Sequence, residues 1–309
     1  MLIAILDFGT NTFNLLIAET DDPTGLKYLH SSKEPVKLGE GGINNRILTP
    51  EAMERGIKAL ENHYKTIREF GAKKIYAFAT SAVRDAQNSR DFLQMVQEKF
   101  ELFVNIIPGD REAELIYKGV RQACGFDQDK VLIVDIGGGS NECIIADKQR
   151  IYWKESFNLG MARLLEKFNP ESPITKNTTE KVEAYFENNL SSLFEAIDRH
   201  KPTIMVGASG SYETFYALLK HRLPEKYQEN GKAMKKEIFL EDFRGLHQIM
   251  LKSTQEERKN MPGMEPVRVD MIVLASIFVN FILKKHHFDQ MMMSEYALKE
   301  GVIAEIFNI

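Results

Sequence analysis

The sequence predicts an α/β fold in two domains, and three observations support this. Apolar runs typical of strands alternate with amphipathic helices, a pattern that predicts a mostly parallel sheet covered by helices. The 309 residues exceed the roughly 250–300 at which single cores tend to divide. One motif occurs twice without a gap, at 3–19 and 131–147. We place the domains at 1–121 and 122–297, with a last helix at about 298–309 that packs back on the first.

Each copy of the motif is an apolar run, an aspartate, a turn rich in glycine or hydroxyl residues and a second apolar run, which predicts a β-hairpin. Asp7 and Gly9 in the first copy align with Asp135 and Gly137 in the second. Glycine lets such a turn adopt positive φ and approach a ligand closely, and successive N–H groups of the turn bind anions. Two such turns facing each other across a cleft would clamp a phosphate and a Mg²⁺ ion that keeps several waters.

The elements between the two hairpins are bounded by clear start and stop signals. Thr49 as N-cap, Pro50 at the first helical position and Gly71 as stop predict a long amphipathic helix. Glu112 lies in the first turn of a later helix, where the helix dipole favours an ionised carboxylate. A fixed carboxylate there could be a general base for water, and the alternative is an ordinary first-turn glutamate. The other predicted elements are a strand over 74–80, a helix over about 89–100 and a strand over 102–107.

After the second hairpin the pattern predicts further strands and helices. They are a strand over 151–156, helices over about 161–168 and 179–199, a strand over 203–206, and helices over 271–283 and about 294–307. The stretch from Gly207 to Ser211 joins a strand to a helix, an arrangement that binds phosphate at the helix N-terminus but that many ordinary connections share. The four lysines of 226–236 are typical of a solvated face, or of a polyanion contact if they line the cleft.

Composition excludes several classes of protein. A net charge of −4 argues against a generally basic nucleic-acid binder. Cys124 and Cys143 are the only cysteines, and no apolar run reaches the ~18 residues of a membrane helix. The first apolar run ends at an aspartate and reads as a strand, not an export signal. We therefore expect a cytoplasmic protein without a membrane partner.

These motifs, in this order, resemble the exopolyphosphatase and guanosine pentaphosphate phosphatase family over essentially the whole chain. The stretches that carry the resemblance are 7–12, 79–86, 109–113, 135–142, 207–211 and 268–270. The resemblance implies the actin and sugar-kinase type of fold, with two ribonuclease-H-like domains and an active site in the cleft between them.

The resemblance also implies roles for individual residues. Glu112 corresponds to the catalytic glutamate, which would activate the water that attacks the terminal phosphorus. Asp135 and Glu142, with Asp7, would hold Mg²⁺ or Mn²⁺, and K⁺ would be an additional cation. Arg84 would pair with phosphate oxygens through its planar fork of donors. The groups implied to bind substrate phosphates are Asp7, Gly9, Thr10, Asn11, Arg84, Gly137, Gly138, Gly139, Ser140, Asn141, Gly207, Ser209, Gly210 and Ser211.

Some positions depart from the family pattern. Asn14 stands where a basic or aromatic residue is usual, which would alter contact with the second or third phosphate. Arg111 occupies a place that is often acidic, so a second carboxylate beside Glu112 is missing. Larger members add helical domains after the two-domain core, and without them we expect weak processivity on long chains. Arg268 and Asp270 could contact phosphate or form a buried ion pair.

The expected activity is Mg²⁺-dependent removal of terminal phosphate from linear polyphosphate. Within the family the alternative substrate is the 5′ γ-phosphate of guanosine pentaphosphate. A kinase or ATPase of the same superfold is a further alternative, but 207–211 is short for an adenosine-binding segment. A non-catalytic nucleotide sensor would predict loss of the acidic residues, which are all present. The sequence leaves oligomeric state open, including a homodimer.

Overall fold

The computed structural model describes residues 1–19, 26–126, 129–228 and 234–308. The chain divides into two compact units, one formed by residues 1–119 with 298–309 and the other by residues 120–297. Each unit is built on a single β-sheet. We call them unit 1 and unit 2.

Unit 1 carries the first hairpin. Its strands are β1 (Leu2–Phe8), β2 (Thr12–Glu19), β3 (Lys27–Pro35), β4 (Lys74–Ala79) and β5 (Val104–Ile106). The helices of this part of the chain are α1 (Pro50–Phe70), α2 (Ser81–Asp85), α3 (Ser89–Phe100) and α4 (Gly109–Cys124), and the last helix, α12 (Leu298–Phe307), packs on β1. The strand order is β3-β2-β1-β4-β5.

Unit 2 carries the second hairpin. Its strands are β6 (Val131–Ile136), β7 (Asn141–Ala146), β8 (Ile151–Phe157), β9 (Ile204–Ala208), β10 (Lys235–Glu237) and β11 (Gln290–Ser294). Its helices are α5 (Met161–Phe168), α6 (Lys176–Asn189), α7 (Ser191–His200), α8 (Ser209–Arg222), α9 (Leu240–Lys252), α10 (Gln255–Lys259) and α11 (Ile272–Lys285). The strand order is β10-β11-β9-β6-β7-β8.

The two sheets share the topology of five strands, and the sheet of unit 2 has one further strand, β10, at its edge. In each, the hairpin strands and the strand that follows pair antiparallel, and the first hairpin strand pairs in parallel with the next strand along the chain. The two hairpin predictions and the ribonuclease-H-like fold of the actin type are thus confirmed. The prediction of mostly parallel sheets is wrong, because β3 and β8 extend each hairpin antiparallel and β10 pairs antiparallel with β11.

The start and stop of α1 are those read from the sequence. The Thr49 hydroxyl accepts a hydrogen bond of 3.2 Å from the amide of Ala52, and Pro50 is the first helical residue. Gly71 ends the helix with φ of 74°, a left-handed conformation that glycine adopts without steric cost. The buried face of α1 packs on the sheet of unit 1.

Two other element predictions require correction, and some elements, such as the strand β3, were not predicted. The single helix expected over 179–199 is two helices, α6 and α7, because Leu190 leaves the helical conformation and is completely buried. The last helix begins at Leu298, since residues 290–294 form the strand β11. The strand β3 was missed because its sequence, KYLHSSKEP, is polar and only every second residue is partly buried.

Aromatic side chains anchor the first hairpin in the core of unit 1. The rings of Phe8 and Phe13 stack at 4.5 Å, and both lie 6.4 Å from Phe92 of α3. All three side chains are fully buried. The two residues that flank the first turn are therefore anchored in the core of unit 1.

None of the described helices is both long and apolar enough to cross a membrane.

Candidate functional site

The first glycine-rich turn joins β1 to β2. The amide of Gly9 donates to the carbonyl of Thr12 across 3.1 Å. The carbonyls of Thr10 and Asn11 accept hydrogen bonds of 2.8–3.3 Å from backbone amides of residues 36–39. The side chains of Thr10 and Asn11 are buried at 4% and 6% exposure, so the turn is fixed before any ligand arrives.

The second turn, residues 137–140, repeats the closing hydrogen bond, from the amide of Gly137 to the carbonyl of Ser140 at 3.0 Å. The carbonyls of Gly137, Gly138 and Gly139 accept hydrogen bonds of 2.8–3.3 Å from the amides of residues 160–162, at the start of α5. In a trans peptide the next N–H points opposite to the carbonyl. The amides of Gly138, Gly139 and Ser140 consequently point away from α5 together, which is the arrangement of a backbone anion site.

Glycine is required in these turns for close approach rather than for positive φ. A Cβ on Gly9 would lie 2.8 Å from the carbonyl oxygen of Thr12, and one on Gly137 would lie 2.5 Å from that of Ser140. The expectation of positive φ is wrong for both turns. The described glycines with positive φ are Gly41, Gly71, Gly125 and Gly263.

The two hairpins differ in the residue that faces the aspartate. Asp7 lies opposite Asn14 in the β1–β2 register, and Asp135 lies opposite Glu142 in the β6–β7 register. The Asn14 amide donates to Oδ2 of Asp7 across 2.8 Å. Asn14 is therefore engaged by Asp7, whereas the second hairpin places two carboxylates side by side.

Asp7 is buried and only partly satisfied. Its Oδ1 atom is shielded from solvent and has no hydrogen-bond partner among the described residues. Burial raises the pKa of Asp7 to about 6, against the smaller opposing effects of the Asn14 hydrogen bond and the charge of Lys299, and Glu300 raises it further. An unsatisfied buried carboxylate oxygen at a glycine turn fits a position that a cation or a bound water completes.

Asp135 and Glu142 are the carboxylates that face each other in the second hairpin. They are exposed by only 5% and 2%. Ser209 Oγ donates to Asp135 across 2.7 Å, and Ser156 Oγ donates to Glu142 across 2.6 Å. Like charges directly opposite each other in a sheet repel unless a cation lies between them. Carboxylate and hydroxyl oxygens are the donors that Mg²⁺ prefers, so the residues present fit this ion.

No three His, Cys, Asp or Glu side chains within the described ranges come together as a metal-binding cluster. Mg²⁺ usually binds through one or two carboxylates, with waters and substrate phosphates completing its coordination. The hairpin pair is compatible with that pattern. The assignment of Asp7, Asp135 and Glu142 as ligands stays a prediction.

The predicted third phosphate stretch has no separate turn, because β9 ends at Ala208 and α8 begins at Ser209. Ser209 has φ of 68°, an uncommon conformation for a residue other than glycine, and it directs its hydroxyl to Asp135. Backbone strain of this kind is concentrated at functional sites. The glycines here are packing positions: a Cβ on Gly207 would lie 1.9 Å from the ring of Tyr212, and one on Gly210 would lie 2.2 Å from the guanidinium of Arg268.

Two predicted phosphate ligands have side chains turned into the protein. Asn141 is fully buried, and its amide donates to the carbonyl of Leu159 across 2.9 Å. Ser211 is exposed by only 1%. Both residues therefore shape the loops around them, and any contact with phosphate would be made through the backbone.

The predicted base and the predicted phosphate-binding arginine are paired in unit 1. Nη1 of Arg84 donates to Oε2 of Glu112 across 2.8 Å and lies 3.3 Å from the carbonyl of Ile107. The Arg84 side chain also lies 3.5 Å from Asp85. The exposed fractions of the Arg84 and Glu112 side chains are 17% and 10%. The Glu112 carboxylate thus sits at the first turn of α4 beside a guanidinium.

Two of the four lysines of 226–236, Lys226 and Lys236, are paired with carboxylates. Lys226 pairs with Glu241 at 2.8 Å and with Asp242 at 2.9 Å, and Lys236 pairs with Glu295 at 2.5 Å. Lys232 lies outside the described residues. The solvated-face interpretation fits Lys226 and Lys236 better than a polyanion contact does.

Arg268 and Asp270 do not form the ion pair considered from the sequence. The nearest carboxylate to Arg268 is that of Glu265, at 3.5 Å, and the Asp270 carboxylate accepts a hydrogen bond from the side chain of Gln255. The side chain of Arg268 is buried and packs against Gly210. It supports the strained start of α8.

The structure adds site residues that sequence reasoning missed. Ser156 lies directly opposite Glu142 in the β7–β8 register, and a prediction of that register would have found it. Arg163 of α5 donates to the carbonyl of Gly139 across 2.7 Å, which fixes the second turn. Gly160 packs against that turn so closely that a Cβ would lie 2.4 Å from the Gly138 carbonyl. No local sequence pattern marks these two contacts.

The two sheets and the duplicated hairpin turns define a two-domain α/β protein of the ribonuclease-H-like, actin type. The model of the Ppx/GppA phosphatase family matches residues 16–308, and the chain belongs to this family. Membership of a phosphatase family places it among the hydrolases.

Individual relatives agree with the family model. An exopolyphosphatase from Cytophaga hutchinsonii has a crystal structure that is 34% identical, with a TM-score of 0.96 over 100% of this chain and 98% of that one. The Aquifex aeolicus PPX-GPPA enzyme is 25% identical, with a TM-score of 0.79 over 99% of both chains. A bifunctional 3-dehydroquinate synthase/phosphatase from Fusobacterium nucleatum is 30% identical over 98% of this chain. This chain spans 46% of that relative's length.

Proposed function

We propose that the protein is an exopolyphosphatase that hydrolyses the terminal phosphoanhydride bond of linear polyphosphate. The observation that carries the proposal is the second turn: its carbonyls are held by the start of α5, so its amides face the other way, and it joins the two strands that carry Asp135 and Glu142. The similarity to the Cytophaga exopolyphosphatase over nearly the full length of both chains supports the choice of polyphosphate as substrate.

The proposed mechanism assigns the reacting proton to Glu112. Its carboxylate would accept a proton from the attacking water, while the pairing with Arg84 holds it in one orientation. Release of Arg84 from part of that pairing would let the guanidinium contact an oxygen of the transferring phosphoryl group. Electrostatic stabilisation of that group is the main source of rate in phosphoryl transfer.

The two hairpin turns would bind phosphate oxygens through backbone amides. The amides of Gly138, Gly139 and Ser140 supply three donors with a fixed direction. Asp135 and Glu142, with Asp7, would hold Mg²⁺, which when bound neutralises charge on the phosphate oxygens. Ser209 and Ser156 would orient the two unit 2 carboxylates through their hydrogen bonds of 2.7 and 2.6 Å.

The test is phosphate release by the purified protein with Mg²⁺, measured in parallel on tripolyphosphate, long-chain polyphosphate, guanosine pentaphosphate and ATP. We expect release from polyphosphate that EDTA abolishes and Mg²⁺ restores. Mn²⁺ and K⁺ are added in separate reactions to test the other cations. Preference for guanosine pentaphosphate would replace the substrate, and preference for ATP or silence on all four would overturn the proposal.

A further inference from the structure

The segment 36–48 lies against both predicted phosphate-contacting regions of unit 1. At its start, the amide of Gly39 donates to the carbonyl of Thr10, and a Cβ on Gly39 would lie 2.8 Å from the Thr10 methyl group. At its end, Leu48 and Asn88 exchange two hydrogen bonds of 2.9 Å. The segment therefore runs from the first glycine-rich turn to the connection between α2 and α3.

Arg46 is held in this segment in a strained conformation. Its φ is 58°, in the left-handed region that residues other than glycine, asparagine and aspartate seldom adopt. Its carbonyl accepts a hydrogen bond of 2.8 Å from the amide of Gln87, and its Nε atom donates to the carbonyl of Asp85 across 3.0 Å. Both the backbone and the side chain are thus fixed to the region that follows Arg84.

The charge of Arg46 is not compensated as the neighbouring arginines are. Arg55 pairs with Glu40 at 3.0 Å, and Arg84 pairs with Glu112 at 2.8 Å. Within the described ranges Arg46 has no carboxylate at ion-pair distance, and its hydrogen bond to Asp85 uses only Nε. The Nη1 and Nη2 groups of an exposed guanidinium therefore remain for a ligand.

Position and chemistry together indicate an anionic ligand. The carbonyl that anchors Arg46 belongs to Asp85, the residue next to Arg84 in the chain, so the Arg46 guanidinium is hydrogen-bonded to the short helix that carries Arg84, α2. The charge of Arg84 is already balanced by Glu112 and Asp85, so the uncompensated positive charge on this side of α2 is that of Arg46. A guanidinium with two free terminal nitrogens matches two non-bridging oxygens of one phosphate.

We propose that Arg46 binds a phosphate of the substrate chain beyond the terminal one, and so selects substrates with several consecutive phosphates. This inference rests on the proposed function, since it concerns the same substrate. In this arrangement Arg84 binds the terminal phosphoryl group, and Arg46 binds the next part of the polyanion. An orthophosphate ion, which has no second phosphate, gains nothing from Arg46.

The experiment compares binding of tripolyphosphate and inorganic phosphate by calorimetry, with hydrolysis measured separately. Arg46→Asn removes the guanidinium but retains a residue that tolerates left-handed φ, so the segment keeps its conformation. Loss of a charge-assisted contact is expected to weaken tripolyphosphate binding about tenfold. The affinity of Arg46→Asn for inorganic phosphate should stay within about twofold of that of the original protein. A difference of this size is what is expected when a substitution does not interact with the binding site.

Three further measurements sharpen the result. Arg46→Lys should recover part of the affinity, because it restores charge without the planar fork. The dependence of tripolyphosphate affinity on salt should be shallower in Arg46→Asn. Arg68→Ala is the matched control, an exposed arginine 18 residues along α1 from Pro50 and so about 27 Å from the start of that helix. It should leave both affinities unchanged.

Equal tripolyphosphate binding by Arg46→Asn and the original protein would overturn the inference, as would an equal loss for tripolyphosphate and inorganic phosphate. Absence of tripolyphosphate binding by the original protein would overturn it too. Binding without hydrolysis would contradict the proposed function alone, because the affinity difference still decides the role of Arg46. Melting temperatures of all variants establish that each is folded.

Discussion

Nη1 of Arg84 donates to Oε2 of Glu112 across 2.8 Å, from the short helix α2 to the first turn of α4. The predicted base and the predicted phosphate-binding arginine thus form one ion pair. Such a pair holds the carboxylate in place, and its guanidinium is already positioned next to it.

Glu112→Gln is expected to lower kcat by about 10²–10⁴, the usual contribution of a general base. Glutamine can still accept a hydrogen bond from Arg84, so the melting temperature should change little. The measurement is steady-state phosphate release together with thermal unfolding. Glu114→Gln, two residues along the same helix and paired with Arg111 at 3.0 Å, is the control and should keep full activity. Retention of most turnover by a folded Glu112→Gln protein would exclude Glu112 as the base.

Gly137→Ala should disrupt the second turn, since its Cβ would lie 2.5 Å from the Ser140 carbonyl oxygen. We expect a loss of phosphate binding and a lower melting temperature. Gly245→Ala is the matched control, because nothing lies within 4 Å of a Cβ there and the residue is exposed in α9. Alanine should stabilise that helix by about 1 kcal/mol. Equal behaviour of the two variants would refute the close-approach argument.

Asp7 is expected to make stability depend on pH. Its pKa is raised to about 6 by burial, above the value of 3.8 that applies in the unfolded chain. The folded protein therefore holds a proton that the unfolded chain has lost, and the free energy of unfolding falls as pH rises from about 4 to 6. Asp7→Asn should remove this loss and, without added metal, unfold at pH 8 with a free energy higher by up to about 3 kcal/mol.

That gain in Asp7→Asn should accompany a loss of activity, because the carboxylate is proposed to complete a cation or water position. Denaturant titrations at pH 4 and pH 8 in EDTA, with phosphate release in Mg²⁺, measure both effects. A variant that is less stable than the original at pH 8 would contradict the assigned burial cost.

Substitutions of Ser209 distinguish the effect of its backbone strain from the effect of its side-chain hydroxyl. Ser209→Gly should relieve the left-handed strain, worth about 1 kcal/mol, while removing the hydroxyl that donates to Asp135. Ser209→Ala loses the same hydroxyl and keeps the strain. We expect both variants to lose activity, with the higher melting temperature for glycine. Full activity in either would show that orientation of Asp135 does not depend on this hydrogen bond.

His247 is expected to sensitise unit 2 to acid. Burial between α9 and α11 and, to a smaller extent, the charge of Lys284 lower its pKa to about 4. Below about pH 6.5 this histidine binds a proton in the unfolded chain but not in the folded protein. The free energy of unfolding therefore falls as the pH drops from 6.5 to 4, by up to about 3 kcal/mol. His247→Asn should flatten this decline, whereas the exposed His287→Asn should not.

The sequence by itself determined the elements whose signals are local. Thr49, Pro50 and Gly71 bound α1 because capping and helix termination act within one turn. The duplicated motif predicted both hairpins, since alternation of apolar residues about a glycine turn is a short-range pattern. Asp7 and Asp135 became candidate ligands from the sequence because each stands near the end of a strand, two residues before the first glycine of such a turn.

Tertiary structure decided what depends on residues distant in sequence. Three contacts join segments that no local pattern connects. They are the ion pair of Arg84 with Glu112, the hydrogen bonds from the start of α5 to the second turn, and the hydrogen bond from Ser209 to Asp135. The polar strand β3 also forms only because β2 offers its edge. Side-chain register and hydrogen bonding across 20 or more residues follow from packing of the sheet and its helices, and packing is a property of the folded chain as a whole.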